Sequence, residues 1–588
     1  MQTLAVIGKE FSWSLLKHVV DKPEEAVQGW LSHLQVAEFI YEQPAFPDVE
    51  YTFKHAFTQE VAYNSVLQER RKALHERTAQ AIETLFHSQL EDHYGDLAHH
   101  YSRSGNTPKA IEYLHRAGQQ AVQRSAHAEA ITHFTTALEL LKTLPDTPEH
   151  AQQELTLQIA LAPPLAVTKG LAAPEVGAVH ARALELCQQV GETPQLFPTL
   201  WGARRFYLFQ AELQTARELA ERLIPLAQQA QDSVLLLDAH WGLGVVSYHL
   251  GELVSARTHF EHVLALYDPQ QRRSAIARHG GDIGVSSLPF LANVLWLLGY
   301  PDQARKRNRE ALTLAQEIAH PFTTASVWLQ TIGLHHFLHE ARTVRQRAEA
   351  VIALSIEQGG VPLWLASGTI LCGWAQAMQG QEEGGINQIQ QGLAADRATG
   401  AELGRPYYLA LLAEAYRKAG QGEEGLTALA EALDLVNKTG ERYYEAELYR
   451  LKGELVLQSG VRSPKSDLTN PQPPILNPQM EAEACFLKAI EIARKQQAKS
   501  LELRAVMSLA RLWQQQGKTA EAHRMLSEIY GWFTEGFDTK DLQEAKALLE
   551  GVSRTLDGKL SDALGKMRAG PSEPPCRRRL QTAPGCGV

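Results

Sequence analysis

LWLLGYPDQA, residues 295–304, decides the fold. An apolar helix end carrying Trp296 runs into the turn residue Gly299, and a small residue, Ala304, follows five positions later. The same punctuation returns at Ala211, Gly251, His339, Gly380, Gly420, Gly460 and Gly517. With Gly299 in its place the successive separations are 40, 48, 40, 41, 40, 40 and 57 residues. A nearly fixed period of this size marks an array of supersecondary units.

Five residues after most turns stands a small or slim residue: Ala216, Ala256, Val344, Gly385, Gly425 and Ala522. Four further on come Ala220, Phe260, Ala348, Ile389, Leu429 and Leu526, and three beyond those Leu223, Val263, Ala311, Val351, Ala432 and Ile529. Steps of four and three keep these side chains on one helical face, and small residues on that face let a second helix approach closely.

The irregular spacings read as lengthened connections. HGGDIG at 279–284 lies in the 48-residue interval, and SPKSDLTNPQPPILNP, too proline-rich for helix, lies in the 57-residue one. The phase resumes at Ala482, Phe486 and Ala489, as expected when an insertion lengthens a loop at small entropic cost.

At 588 residues the chain exceeds one compact core, but stacked hairpins bury a continuous core however many there are. Hydrophobic residues make up 44% and charged ones 21%, in long stretches rich in Ala, Leu, Glu, Gln and Arg, so the chain reads as nearly all helix. A net charge of −10 with both signs interspersed presents no basic face for nucleic acid or anionic lipid. Five scattered cysteines without CxxC spacing, no signal peptide and no apolar run long enough to span a bilayer predict a cytoplasmic protein with reduced thiols.

Residues 1–55 stand apart. FSWSLLKHVV and PEEAVQGWLSHLQ read as helices, and AEFIYEQ and VEYTFKH as two strands around a proline-containing turn, which together suggest a small winged-helix module. LAVIG is apolar with no cap before it, so the natural domain is expected to start upstream of Met1. Residues 56–144 read as a helical linker and first repeats in four stretches, 145–458 as repeats of about 40 residues, 459–480 as the Pro-rich loop, 481–552 as C-terminal repeats and 567–588 as a disordered tail. Within 145–199, LAPPLAVTKGLAAPEVG leaves helix ends open, and the periodic signal fades after Leu549. The expected fold class is all-α, a solenoid (superhelix) of helical hairpins with a small N-terminal winged helix.

The LG and AG turns, the following alanines and the aromatics of the preceding helix (LWLLGYPDQA, AYRKAGQGEEG) resemble tetratricopeptide repeats over roughly residues 90 to 550. FKHAFTQEVAYNSVLQERRKALHE, ERYYEAELYRLKGELVLQ and YGWFTEGFDTKDLQEAKALL are similar to the C-terminal half of large bacterial signalling proteins. Those carry a class III nucleotide cyclase domain, a STAND-type ATPase domain and then such repeats. By this resemblance 1–55 is the winged-helix remnant of an ATPase module, and His55 of YTFKHAF is a nucleotide-sensor candidate that also stands where it would cap the following helix. The chain looks like a truncated or split relative. Neither catalytic domain is in it, so the resemblance carries over no cyclase or ATPase activity.

Other motifs give no catalytic, cofactor or metal site. Gly517, Lys518 and Thr519 resemble the end of a phosphate-binding loop, but Leu512 stands where its first glycine is required. In GLHHFLHEA, His335 and His339 share a helix face beside His336, a spacing that could seat two metal nitrogens, without the HExxH glutamate or a third ligand. Packing or surface histidines are expected there and at His99 and His100. HGGDIG lacks the preceding strand of a dinucleotide site. Trp296, Trp374, Tyr416 and Trp513 read as core fillers, and Arg577 to Arg579 as a solvated cluster.

The expected function is that of a non-catalytic interaction and regulatory scaffold. Its concave groove would take a protein or peptide, such as an ATPase or cyclase domain, with no cofactor and no membrane or nucleic-acid partner. The alternative is a transcription regulator binding DNA through the winged helix, although Glu24, Glu25 and Gln28 on its second helix offer phosphates little. A hydrolase is disfavoured because no catalytic groups converge in the sequence.

Overall fold

The computed structural model describes residues 1–44, 48–191, 193–271, 276, 281–459 and 477–568. Gly460, most of the Pro-rich loop and tail residues 569–588 lie outside the described residues, as do His279 and Gly280 of HGGDIG. The chain divides into two compact units. The first comprises Met1–Val246, Ser355–Ala366 and Leu393–Leu403, and the second Ser247–Leu354, Ser367–Gly392 and Gly404–Val588.

The first unit begins with α1 (Gln2–Ile7), β1 (Glu10–Ser12), α2 (Trp13–Val19), α3 (Glu24–Val36), β2 (Ile40–Gln43) and β3 (Glu50–Phe53). The strands form an antiparallel sheet of order β1-β3-β2, with Phe11 opposite Tyr51 and Tyr41 opposite Thr52. Leu4, Phe11, Leu16, Val27, Ile40 and Phe53 close its core. Two strands were expected, and the third, β1, has only three residues, too short for an alternating pattern to register. Ser12 caps α2 by accepting from the Leu15 N–H at 3.2 Å.

There follow α4 (Ala56–Asn64), α5 (Gln68–Leu85), α6 (Tyr94–Ser104), α7 (Thr107–Gln123) and α8 (His127–Leu141), five helices where four were read, because the break at residues 65–67 carries neither Gly nor Pro. Next are α9 (Pro148–Lys169), α10 (Pro174–Val190), α11 (Leu196–Phe209), α12 (Leu213–Ala230) and α13 (Ser233–His249). The Pro163-Pro164 pair does not end α9: Leu161, Ala162, Pro164 and Leu165 are buried, so packing carries the helix through.

The helices that follow are α14 (Leu253–Leu266), α15 (Ile283–Leu297), α16 (Pro301–Ile318), α17 (Pro321–Phe337), α18 (Ala341–Glu357), α19 (Pro362–Met378), α20 (Glu382–Ala398), α21 (Arg405–Ala419), α22 (Gly422–Thr439), α23 (Glu445–Ser459), α24 (Pro478–Gln496), α25 (Lys499–Gln515), α26 (Thr519–Tyr530) and α27 (Lys540–Arg568). The last runs well past the point where the sequence signal fades. The fold is an all-α helical-hairpin solenoid preceded by a small module of helices and a three-stranded antiparallel sheet.

Every described turn of the register is left-handed: φ is +56° at Ala211, +78° at Gly251, +96° at Gly299, +60° at His339, +90° at Gly380, +77° at Gly420 and +83° at Gly517. The next residue's N–H reaches back five positions, as from Glu212 to Tyr207, Glu340 to His335 and Lys518 to Trp513. This closes a helix C-terminus and reverses the chain. The predicted face is buried throughout, with Ala216, Ala220, Phe260, Val344, Ile389, Leu429 and Ala522 all at zero exposure. Where Gly385 meets Gly373, a Cβ on Gly385 would stand 2.4 Å from the Gly373 carbonyl oxygen, so this hairpin packs backbone against backbone.

Candidate interaction site

Within the second unit, the first helix of a hairpin ends against the start of the helix five such helices later. At the end of α13 the His249 carbonyl accepts from the Arg442 N–H at 2.8 Å, just before α23. At the end of α15 the Trp296 carbonyl accepts from Ser500 Oγ in α25 at 2.5 Å. At the end of α17, His339 Nε2 lies 3.1 Å from Asp541 Oδ1 at the start of α27, and the Phe337 carbonyl also accepts from Arg504 of α25, four such helices on, at 2.5 Å. In the first unit, the Phe209 carbonyl ending α11 accepts from the Glu402 N–H at 2.9 Å, just before α21.

These contacts put aromatic and charged side chains into the interior of the second unit. Trp296 stacks on Phe337 with ring centroids 4.6 Å apart, and Phe337 on Tyr444 at 5.9 Å. The buried His336 pairs Nδ1 with the Tyr407 hydroxyl at 3.0 Å and lies 3.6 Å from Glu414, which accepts from Trp374 Nε1 at 2.8 Å. Burial pushes the Glu414 carboxyl up, but the His336 and Trp374 hydrogen bonds and the His336 charge outweigh it and hold it at about 2. Arg504 donates to Asp541 at 2.8 Å, lies 3.7 Å from Glu447 and covers the Trp296 ring at 4.8 Å. Arg450 grips Glu447 at 2.9 and 2.7 Å and bonds Glu454, which accepts from Ser508. Burial opposes the Arg504 charge, yet Asp541 and Glu447 raise its pKa.

Glu441 ties three segments together. Its carboxylate accepts from the Gly404 N–H at 3.0 and 3.1 Å and meets His249 Nδ1 at 3.0 Å. Charged groups do converge here, although none do so in the sequence. They are mutually paired within the packing of the second unit, as a structural clasp.

The first unit holds a different arrangement on α11 and α13. Arg204 is wholly buried, with its guanidinium carbon 4.5 Å from the centroid of Trp201 and 5.3 Å from that of Trp241. Burial lowers its pKa to about 9, with Arg205 acting in the same sense and Asp238 against it. Between α5 and α6, His75 Nδ1 and His100 Nδ1 lie 2.9 Å apart, with the Tyr63 hydroxyl 3.0 Å from His75 Nε2. Burial above all, then His99 and the Arg71 and Arg103 charges, pushes His75 down to about 3. His100 is likewise at about 3, through burial, the two other histidines and Arg103, which outweigh a hydrogen bond to Ile7.

His55 is exposed at the N-cap of α4. Its carbonyl accepts from Thr58 and Gln59, and its side chain makes no capping hydrogen bond. His335 turns to Glu340 at 2.6 Å, while His339 meets Arg504 and Asp541, so the two do not share a ligand. No group of three or more His, Cys, Asp or Glu placed to hold a metal occurs among the described residues. Gly517 is a repeat turn, and Lys518 pairs with Glu483. Asp282 of HGGDIG caps α15 by accepting from Val285. Trp296 and Trp374 are buried, whereas Trp513 is half-buried and donates to Glu483. Glu24, Glu25 and Gln28 of α3 face solvent.

A tetratricopeptide repeat family profile matches residues 503–528, at α25 and α26. That hairpin is similar to a tetratricopeptide repeat. It is similar to an uncharacterized protein of Rhizobium meliloti (strain 1021), 26% identical over 466 residues, which make up 79% of this chain and 43% of that protein. The chain thus spans less than half the length of that relative. Among solved structures it is similar to a Rap protein complexed with Competence and Sporulation Factor (12% identity, TM-score 0.44, 69% of this chain and 100% of that one). It is also similar to yeast Tom70 (12% identity, TM-score 0.32, 86% and 97%). No helix among the described residues is long and apolar enough to cross a membrane.

Sequence reading missed the Arg504 clasp and the Arg204 cluster. Their mark is a charged residue within an apolar stretch, such as Arg204 in LWGARRFYLF, residues 200–209.

Proposed function

We propose that the chain is a non-catalytic, protein-binding repeat arm that regulates a signalling ATPase or nucleotide cyclase. The observation that carries this reading is the closed clasp around Arg504: it uses buried charge to hold helices distant in sequence in one arrangement, as a part that transmits a state must do. Its charged groups are spent on one another, which leaves recognition rather than bond-breaking as the task. The likeness to a relative more than twice the length of the matched stretch supports a role as one arm of a larger assembly. The winged-helix module and the exposed His55 agree with an ATPase partner on the N-terminal side. Regulation follows if the partner binds two arrangements of the repeats with different affinity.

The test is a pull-down from the native host with the full chain as bait, with and without ATP or ADP, read by mass spectrometry. Capture of an ATPase or cyclase, changed by nucleotide, supports the proposal. Recovery of duplex DNA in a salt-dependent manner, or of no protein, overturns it.

A further inference from the structure

Arg204 has zero exposure, and none of its three guanidinium nitrogens has a hydrogen-bond partner. Beside it Trp241 Nε1 is also buried without a partner. The guanidinium carries five N–H donors and the indole one, so a group of donors stands together without hydrogen bonds, although the Asp238 carboxylate lies near enough to act on the Arg204 charge. Unmet buried donors are costly, and proteins rarely keep several in one place.

Three neighbouring features are built around this group. Gly242 on α13 admits the arginine stem, since a Cβ there would stand 3.2 Å from Arg204 Cδ and Nε. Asp238, one turn before Trp241, favours the guanidinium charge. Trp201 and Trp241 lie 5.6 Å apart, and the indoles that cover the guanidinium are themselves partly exposed.

We propose that Arg204, with Trp201 and Trp241, forms a carboxylate-binding site. The planar fork of a guanidinium matches the two oxygens of a carboxylate better than a tetrahedral anion. The carboxylate comes from an acidic peptide or from a small free acid. The peptide source rests on the protein-binding reading above; the site itself does not.

The test follows tryptophan fluorescence and thermal unfolding of the full chain at constant ionic strength. The titrants are acetate, succinate, a peptide ending in Asp-Glu, the same peptide amidated with Asn-Gln, and inorganic phosphate. Wild type is expected to respond saturably to a carboxylate probe, with a ligand-induced rise in Tm. Arg204→Met is expected to weaken that response at least about tenfold, while its Tm without ligand equals or exceeds that of wild type. Lys142→Met on the surface should change neither.

Response to free acids and peptide alike supports the site with a small-acid source, and response to the acidic peptide alone supports the peptide source. No saturable response, an equal response to phosphate, or an unchanged response in Arg204→Met overturns the proposal. Should Arg204→Met fail to fold, Gly242→Ala, which crowds the arginine stem, must weaken binding instead. A partner captured equally by wild type and Arg204→Met would remove the site while leaving the protein-binding reading standing.

Discussion

Arg204 in the first unit and Arg504 in the second are both buried guanidiniums laid over tryptophan. Arg504 has Asp541, Glu447 and the Phe337 carbonyl around it, and its pKa is raised. Arg204 has two indoles and no hydrogen bond, and its pKa is lowered to about 9. Burial alone therefore does not say what a charge is for. One guanidinium holds helices together, and the other keeps its donors unspent.

The comparison breaks most directly at Arg504. Arg504→Met leaves Asp541 and Glu447 short of their counter-charge and should cost about 3–5 kcal/mol in denaturant unfolding of the full chain, whereas Arg204→Met should cost nothing. Equal losses in the two variants would mean that the two arginines do the same structural work.

His75 and His100 extend the contrast to bases that meet burial by giving up a proton. Their folded pKa values lie below the unfolded value near 6.5, so the unfolded chain binds more protons as pH falls. Stability should be flat above pH 6.5 and decline below it toward pH 3, by about 1 kcal/mol per pH unit for each histidine that titrates independently. Chemical denaturation at pH 7, 6 and 5 measures this, and His75→Gln should flatten the slope.

Glu441→Gln keeps one side-chain oxygen for the Gly404 N–H and His249 but loses its charge. It should cost about 1–2 kcal/mol, read as a fall in the denaturation midpoint. The smallest effect sharpens the first unit. Ala211 closes the helix of Arg204 at φ +56°, so Ala211→Gly should add about 0.5–1 kcal/mol without changing tryptophan fluorescence. It is thus a control that alters this helix end and spares the guanidinium.

The hairpin array was legible because each turn leaves a mark at one residue. A left-handed C-terminus favours glycine, and the small residue five positions on follows from close packing, so Gly299 and Ala304 state the geometry locally. Ala211 and His339 were legible only through the period of their neighbours. β1 was not legible, because Glu10–Ser12 offers one buried side chain. The Arg504 clasp was hidden for another reason: in EAELYRLKGEL, Glu447 and Arg450 look like a surface pair three apart. Arg504, which joins Glu447 to Asp541, belongs to another hairpin, as does Asp541 itself. Of the histidines, spacing favoured His335 with His339, yet His336 is the one that packing takes inside.

The meeting of a hairpin's first helix with the one five hairpins on has a consequence for how this chain can change length. Arrays held only by adjacent units gain and lose whole repeats readily, since each addition restores the interface it interrupts. Here the seams at His249–Arg442, Trp296–Ser500 and His339–Asp541 must all remain in step. Deleting one hairpin between them, such as α19 with α20, would bring the wrong helix to every seam at once. Loops can stretch, as the Pro-rich insertion after α23 does, but the tally of hairpins between partners is locked, and this lineage should vary in its connections while conserving its count.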